Sequence, residues 1–186
     1  MKILVAYYSR TGTTARTAKT LANRLGADCD RITEDGRYQG APGFGRAYLD
    51  GLTHCACPIN ARIDPSRYDY LVVGGPIWSA HMASPLRQYL LNQDVSRRVI
   101  GGFCTGWETT DSPAFFADMA QIVGHKAFKT CSLTQRLCQA ELEEFALAKF
   151  RHAMFPNLTK IYENRAIHNL NHALAQNQFQ MNNDSI

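Results

Sequence analysis

What this 186-residue chain lacks narrows it first. No apolar run reaches the roughly 20 residues that a helix needs to cross a bilayer, so no membrane span is expected. The first apolar run is short, passes straight into Ser9-Arg10-Thr11 and has no small-residue cleavage site. A signal peptide is therefore not expected, and the cytoplasm is the expected location. There is no block of Lys and Arg and no basic stripe interleaved with aromatics, and the net charge of +4 is spread along the chain. Nucleic acid is not an expected partner. Six cysteines in a chain of this length do not make a disulfide framework. Cys29, Cys104 and Cys131 lie in or beside strand-like runs, where a thiol packs as a small hydrophobe. His54-Cys55-Ala56-Cys57 is the one group that invites metal or disulfide chemistry. No second ligand cluster accompanies it in the sequence and zinc usually takes four ligands, so free loop thiols and no metal are expected.

Three phosphate-site signatures are also missing after the first strand. No Gly-Lys-Ser/Thr closes the loop as in a P-loop, there is no G-x-G-x-x-G, and no cysteine sits there as a phosphatase nucleophile would. What does stand there is Met1 to Ala22, read as strand, tight loop and helix. Lys2 to Tyr8 is nearly unbroken apolar and β-prone sequence, the mark of a parallel strand buried on both faces. Ser9-Arg10-Thr11-Gly12-Thr13-Thr14 follows, and then Ala15, Ala18, Leu21, Ala22 and Leu25 recur at helical spacing. Loop amides and the open amides of a first helical turn converge beyond such a strand and make an anion site. Gly12 lets the backbone bend close to a ligand, and four hydroxyls add donors. The plainer alternative is an ordinary strand–helix connection with a Thr cap.

The remaining elements alternate. Residues 27–33 read as a polar, edge-like second strand, and 34–66 as a long irregular stretch rich in glycine and proline. Phe44, Ala47, Tyr48 and Leu52 are spaced there for one short helix. Strands are expected at 68–74, 98–104 and 126–133, and helices at 85–92, 113–123 and 141–154. Gly101-Gly102 implies the close approach of another backbone. Five strands alternating with helices define an α/β, doubly wound parallel sheet. That alternation, together with three loops on one rim, gives order 2-1-3-4-5 as the expectation. Ligands bind such sheets outside the carboxyl ends of the strands. Three loops emerge there: 9–14, 75–82 and 105–111. The second presents Trp78 and the third Trp107, so a phosphate cradle and two indoles share one rim, which suits a phosphorylated planar cofactor. Half-buried packing under loops is the alternative for each indole.

On these residues the chain resembles the flavodoxin-like family of FMN-binding redox proteins over about residues 1–155. Ser9 to Thr14 is similar to the family's loop for the FMN phosphate, and Tyr68 to Trp78 to the strand and loop that reach the flavin. Pro85 to Leu90 is similar to the following helix, and Cys104-Thr105-Gly106 to the start of the third flavin loop. The resemblance implies that Ser9, Arg10, Thr11, Gly12, Thr13 and Thr14 hold the phosphate. It implies too that Pro76, Ile77, Trp78 and Ser79 line one flavin edge, and Thr105, Gly106 and Trp107 the other. The chain departs from carrier flavodoxins in being basic rather than acidic, in placing Arg10 inside the phosphate loop, and in carrying Trp107-Glu108 in the third loop. Gly75-Pro76 and Met82 also resemble flavodoxin-like NAD(P)H:quinone reductases. The implied activity is NAD(P)H-dependent reduction of a quinone or similar acceptor, with a carrier docking on a redox partner protein as the alternative. His81 is the nearest titratable group for proton transfer, a surface histidine being its plainer reading. Residues 156–186 are a polar extension with ten Asn or Gln in 157–186. Leu158, Ile161, Leu170 and Leu174 allow one weak amphipathic helix that could dock on a partner subunit in a homodimer, and disorder is the other reading.

Overall fold

The computed structural model describes residues 1–106, 112–124, 128–134 and 140–156. Trp107, the rest of the 107–111 loop and the 157–186 extension lie outside the described residues. β1 (Ile3–Tyr8) is buried at all six positions, as its uninterrupted apolar sequence requires. It pairs in parallel with β2 (Asp28–Ile32) on one side and β3 (Tyr70–Trp78) on the other, Val5 lying opposite both Cys29 and Val72. β3 pairs with β5 (Val99–Gly106), and β5 with β6 (Lys129–Thr134), again in parallel. The order β2-β1-β3-β5-β6 is the expected one, with β1 in the interior and the polar β2 at an edge. A two-residue strand, β4 (His81–Met82), adds antiparallel to the end of β3.

The helices are α1 (Thr13–Leu25), α2 (Gly40–Leu52), α3 (Ser84–Leu90), α4 (Gln93–Ser96), α5 (Pro113–Val123) and α6 (Ala140–Met154). A first compact unit spans Met1–Phe150, its boundary falling inside α6. In the first unit Leu4, Ala6, Leu71, Val73, Leu86 and Leu90 are wholly buried in the main apolar cluster. Alternate strand residues thus meet one helical layer, the period-two logic of a sheet covered on its faces.

Two details differ from expectation. Gly75 to Trp78 is strand rather than loop, because β5 is long enough to pair through Pro76↔Thr105 and β4 supplies a second ladder for Ile77 and Trp78. The turn beyond is the two residues Ser79 and Ala80, both left-handed (φ 51° and 70°), the conformation that reverses a twisted hairpin. Gly102 lies between the backbones of Val73 and Thr130 in the sheet, and the space its missing side chain leaves is taken by Met119 and Phe116; a Cβ there would collide with the Met119 sulfur. The irregular stretch does hold its helix, α2, but turns it outward. Phe44, Tyr48 and Leu52 are 63%, 54% and 47% exposed. The buried face is Gly43, Ala47, Asp50 and Gly51. These small residues let α2 press its backbone on the rest of the fold: a Cβ on Gly43 would overlap the Tyr38 backbone, and one on Gly51 the Trp78 carbonyl. Among the described residues no helix is long and apolar enough to cross a membrane.

Candidate functional site

The loop after β1 is shaped by its own backbone. Gly12 stands before the first turn of α1 at φ 98°, a left-handed conformation that favours glycine, and no side chain caps the helix. The Thr cap of the plainer alternative is therefore absent. The first intrahelical bond there runs from Arg16 N–H to the Gly12 carbonyl. The amides of Thr13, Thr14 and Ala15 precede it and end the helix open, at its positive pole. Gly12 N–H donates to Ser9 Oγ at 3.1 Å, which tightens the loop. The four hydroxyls do not act alike. Ser9 is buried under the loop, and Thr14 Oγ1 lies 2.7 Å from Thr105 Oγ1 in a buried pair that ties α1 to the end of β5. Thr11 and Thr13 line a cavity of about 470 Å³.

Arg10 does not turn back into the loop. Its Nε and Nη2 donate to the carbonyls of Tyr38 and Gly40, at 2.9 and 3.0 Å, and its guanidinium lies 5.1 Å from the centre of the Phe44 ring. It joins the loop to α2, so α2 becomes the opposite wall of the same cavity, contributing Phe44, Ala47 and Tyr48. The end of β3 and the hairpin supply Pro76, Ile77, Trp78 and Ser79, and the end of β5 supplies Thr105 and Gly106. Ser79 Oγ donates to the Tyr48 carbonyl at 2.8 Å and pins hairpin to helix. Behind this wall Asp50 accepts from Tyr38 Oη at 2.8 Å and from the Arg37 guanidinium at 3.1 Å.

Trp78 is only 7% exposed. Its indole meets Tyr8 edge-on with centroids 5.7 Å apart and lies 4.6 Å from the Tyr38 ring. It touches the cavity but is chiefly a core residue, the packing alternative rather than a freely presented indole. Burial pushes the Tyr8 phenol above its ordinary range, and burial together with the hydrogen bond to Asp50 does the same to Tyr38. Burial likewise raises the Cys57 thiol. Burial thus favours the protonated forms of these three groups.

The structure thus gathers Arg10, Thr11, Thr13, Thr14, Pro76, Ile77, Trp78, Ser79, Thr105 and Gly106 around one cavity. Ser9 and Gly12 shape the loop from beneath and within. Sequence reasoning missed Phe44, Ala47 and Tyr48 as lining residues. The available signal was apolar residues at helical spacing beside glycines, which leaves open which face is buried. His81 is not at this cavity. Its Nδ1 lies 3.1 Å from Asp118 Oδ2, in a second cavity lined also by His54 and Arg87.

No protein-family model matches the chain, and no curated protein does. Solved structures do. A flavoprotein of Bacteroides eggerthii matches with a TM-score of 0.61 at 20% identity, covering 81% of this chain and 98% of its own. A flavoprotein of Lactobacillus acidophilus, solved in complex with FMN, matches with a TM-score of 0.56 at 20% identity, covering 77% and 98%. The apo form of an NADH:FMN oxidoreductase matches with a TM-score of 0.50 at 13% identity, covering 84% and 90%. The fold of this chain is flavodoxin-like.

Proposed function

We propose that this chain binds FMN and is an NAD(P)H-dependent oxidoreductase that reduces a quinone or a similar small acceptor. The observation that carries the reading is the cavity itself. It joins an uncapped helix N-terminus, opened by the left-handed Gly12, to a rim of apolar and aromatic groups from α2 and the hairpin. A phosphate needs the first and a flat ring the second. The volume of about 470 Å³ falls in the range of roughly 300–1,000 Å³ typical of small-ligand sites. A flavoprotein with the same fold was solved with FMN, and another structure with that fold is an NADH:FMN oxidoreductase.

The amides of residues 12–15 and the hydroxyls of Thr11 and Thr13 would hold the phosphate. Pro76, Ile77, Tyr48 and Gly106 would flank the ring, with Trp78 backing it. FMN supplies the electron chemistry when bound. The protein's part is to hold it and to supply the apolar and aromatic rim around the ring.

One observation favours a second reading. Phe44, Tyr48, Leu49 and Leu52 are exposed together on α2, and the first two line the cavity. An apolar rim beside a redox site suits docking on a partner protein, as in an electron carrier. Anaerobic stopped-flow on the yellow holoprotein separates the readings. Bleaching of the flavin band within seconds of mixing with NADPH or NADH, then reoxidation by a quinone, supports the enzyme. Bleaching only after a reductase protein is added gives the carrier. A colourless protein that takes up no FMN removes both.

A further inference from the structure

Three side chains far apart in the sequence converge outside the cavity just described. His54 follows α2 in a left-handed backbone conformation, φ 53°. His81 opens β4 directly after the hairpin, and Asp118 stands on the buried face of α5. One donor atom from each lies within 4.8 Å of the others. Asp118 takes both histidines, one on each oxygen: His81 Nδ1 is 3.1 Å from Oδ2, and His54 Nδ1 is 3.6 Å from Oδ1. Around a tetrahedral ion with bonds of about 2.0–2.1 Å, donors stand about 3.3 Å apart. The two separations run to different oxygens of Asp118, and with one donor atom from each residue every edge of the triangle is within 4.8 Å. Closing the triangle to that spacing takes shifts of at most about 1.5 Å, on imidazoles already in edge-to-face contact at 4.4 Å.

The cluster already attracts a cation, and it is the chain's own. Arg87, on α3, places Nη2 2.7 Å from His54 Nδ1 and 3.0 Å from Asp118 Oδ2. Those are two of the lone pairs a metal would use. The His54 nitrogen facing Arg87 must carry a lone pair to accept that N–H, which is also the state a metal needs. Arg87 is held at this end, for its buried Nε has no hydrogen-bond partner among the described residues. A cavity of about 700 Å³, lined also by Leu90, Leu91 and Gln121, gives the guanidinium room to leave.

We infer that His54, His81 and Asp118 form a site for a divalent first-row transition ion that competes with the Arg87 guanidinium. Two imidazoles and one carboxylate suit zinc and its neighbours, whereas magnesium and calcium take oxygen ligands. Three protein ligands leave a fourth position open towards the cavity. The cysteines of the His54-Cys55-Ala56-Cys57 segment are not among the ligands, so the site differs from the one that segment suggests by itself.

The test is calorimetric titration of the chelator-treated full chain with zinc chloride, with X-ray absorption at the zinc edge. One site should fill, with nitrogen and oxygen neighbours at about 2.0–2.1 Å and no sulfur near 2.3 Å. His54→Gln and His81→Gln should each weaken binding more than about tenfold, since losing a mere hydrogen-bond partner of a ligand already costs about that much. Arg87→Met should tighten it about tenfold, since the resident cation is gone and about 1.4 kcal/mol of competition goes with it. Circular dichroism checks that each variant folds, and if Arg87→Met does not, the two glutamine variants decide alone. Sulfur neighbours, or zinc bound equally well by both glutamine variants, overturns the site. The readout involves neither flavin nor turnover, so its failure leaves the flavin reading untouched.

Discussion

The two walls of the main cavity are built on different principles. Residues 9–14 and α1 form theirs from consecutive backbone: a left-handed Gly12, one Ser9 bond and an open helix end. The facing wall is assembled from α2, the end of β3 and the hairpin, which are distant in sequence and joined by side chains. Arg10 reaches the Tyr38 and Gly40 carbonyls, Ser79 reaches Tyr48, and Arg37 and Tyr38 meet on Asp50. A wall made of backbone depends on few side chains. A wall made of side chains can be lost at many positions, and its polar bonds and buried thiol make it sensitive to pH. The contrast predicts where each kind of damage will fall.

The largest expected effect is on the assembled wall. Trp78→Ala should empty a space between Tyr8 and Tyr38 and lower the unfolding free energy by about 3–5 kcal/mol, measured by urea denaturation. Tyr48→Ala, at an exposed ring on the same wall, should change stability by no more than about 0.5 kcal/mol while weakening FMN about tenfold. Were Trp78→Ala to lose flavin and keep its stability, the indole would be a presented ligand face after all, and the core assignment would fall.

Next comes the backbone wall. At Gly12 an added Cβ meets nothing within 4 Å, so crowding by the protein is not the obstacle. The obstacle is φ 98°, which a β-branched residue adopts only with strain. Gly12→Val should cost about 2–3 kcal/mol of strain or a rearranged loop, reducing FMN affinity by tens- to about a hundredfold in a fluorescence titration. Gly12→Ala should fall between the two. Equal affinity in all three proteins would show that the loop does not hold the phosphate.

These expectations also mark what was legible in the sequence. β1 and its loop could be read directly, because a strand buried on both faces and a loop of consecutive hydroxyl residues are local patterns. The parallel sheet followed from the alternation of elements, and its order from that alternation together with the three loops placed on one rim. Phe44 and Tyr48 were not legible as lining residues. Their spacing specified a helix, and the usual expectation that apolar residues face inward fails where glycines let the other face press closer. Trp78 was half legible: its position beside the cavity followed from β3, but its burial depended on Tyr38, which comes from another part of the chain. The cluster of His54, His81 and Asp118 left no local pattern, since three elements meet there only after the sheet and the hairpin have formed.

The smallest effect is a matter of pH, and it should divide the walls cleanly. Cys57 is buried behind α2, and burial raises its thiol above the ordinary value of 9.0. In the unfolded chain the thiol loses its proton as the pH passes about 9, while the folded chain keeps it. The folded state then binds more protons than the unfolded state, so stability is full below the unfolded value and falls as the pH climbs towards the folded one. The Tyr38 phenol is raised in the same sense and adds to the fall above its ordinary value of 10.0. The backbone wall has no such group: Ser9, Thr11, Gly12, Thr13 and Thr14 do not titrate in this range. Urea unfolding at pH 8 and pH 9.5 should therefore show a decline in the unmodified chain that is shallower in Cys57→Ala. Thr11→Ala, on the other wall, should keep the full decline. Identical slopes in the unmodified chain and Cys57→Ala would mean that the thiol meets water in the folded state, and that the assembled wall is looser than its contacts describe.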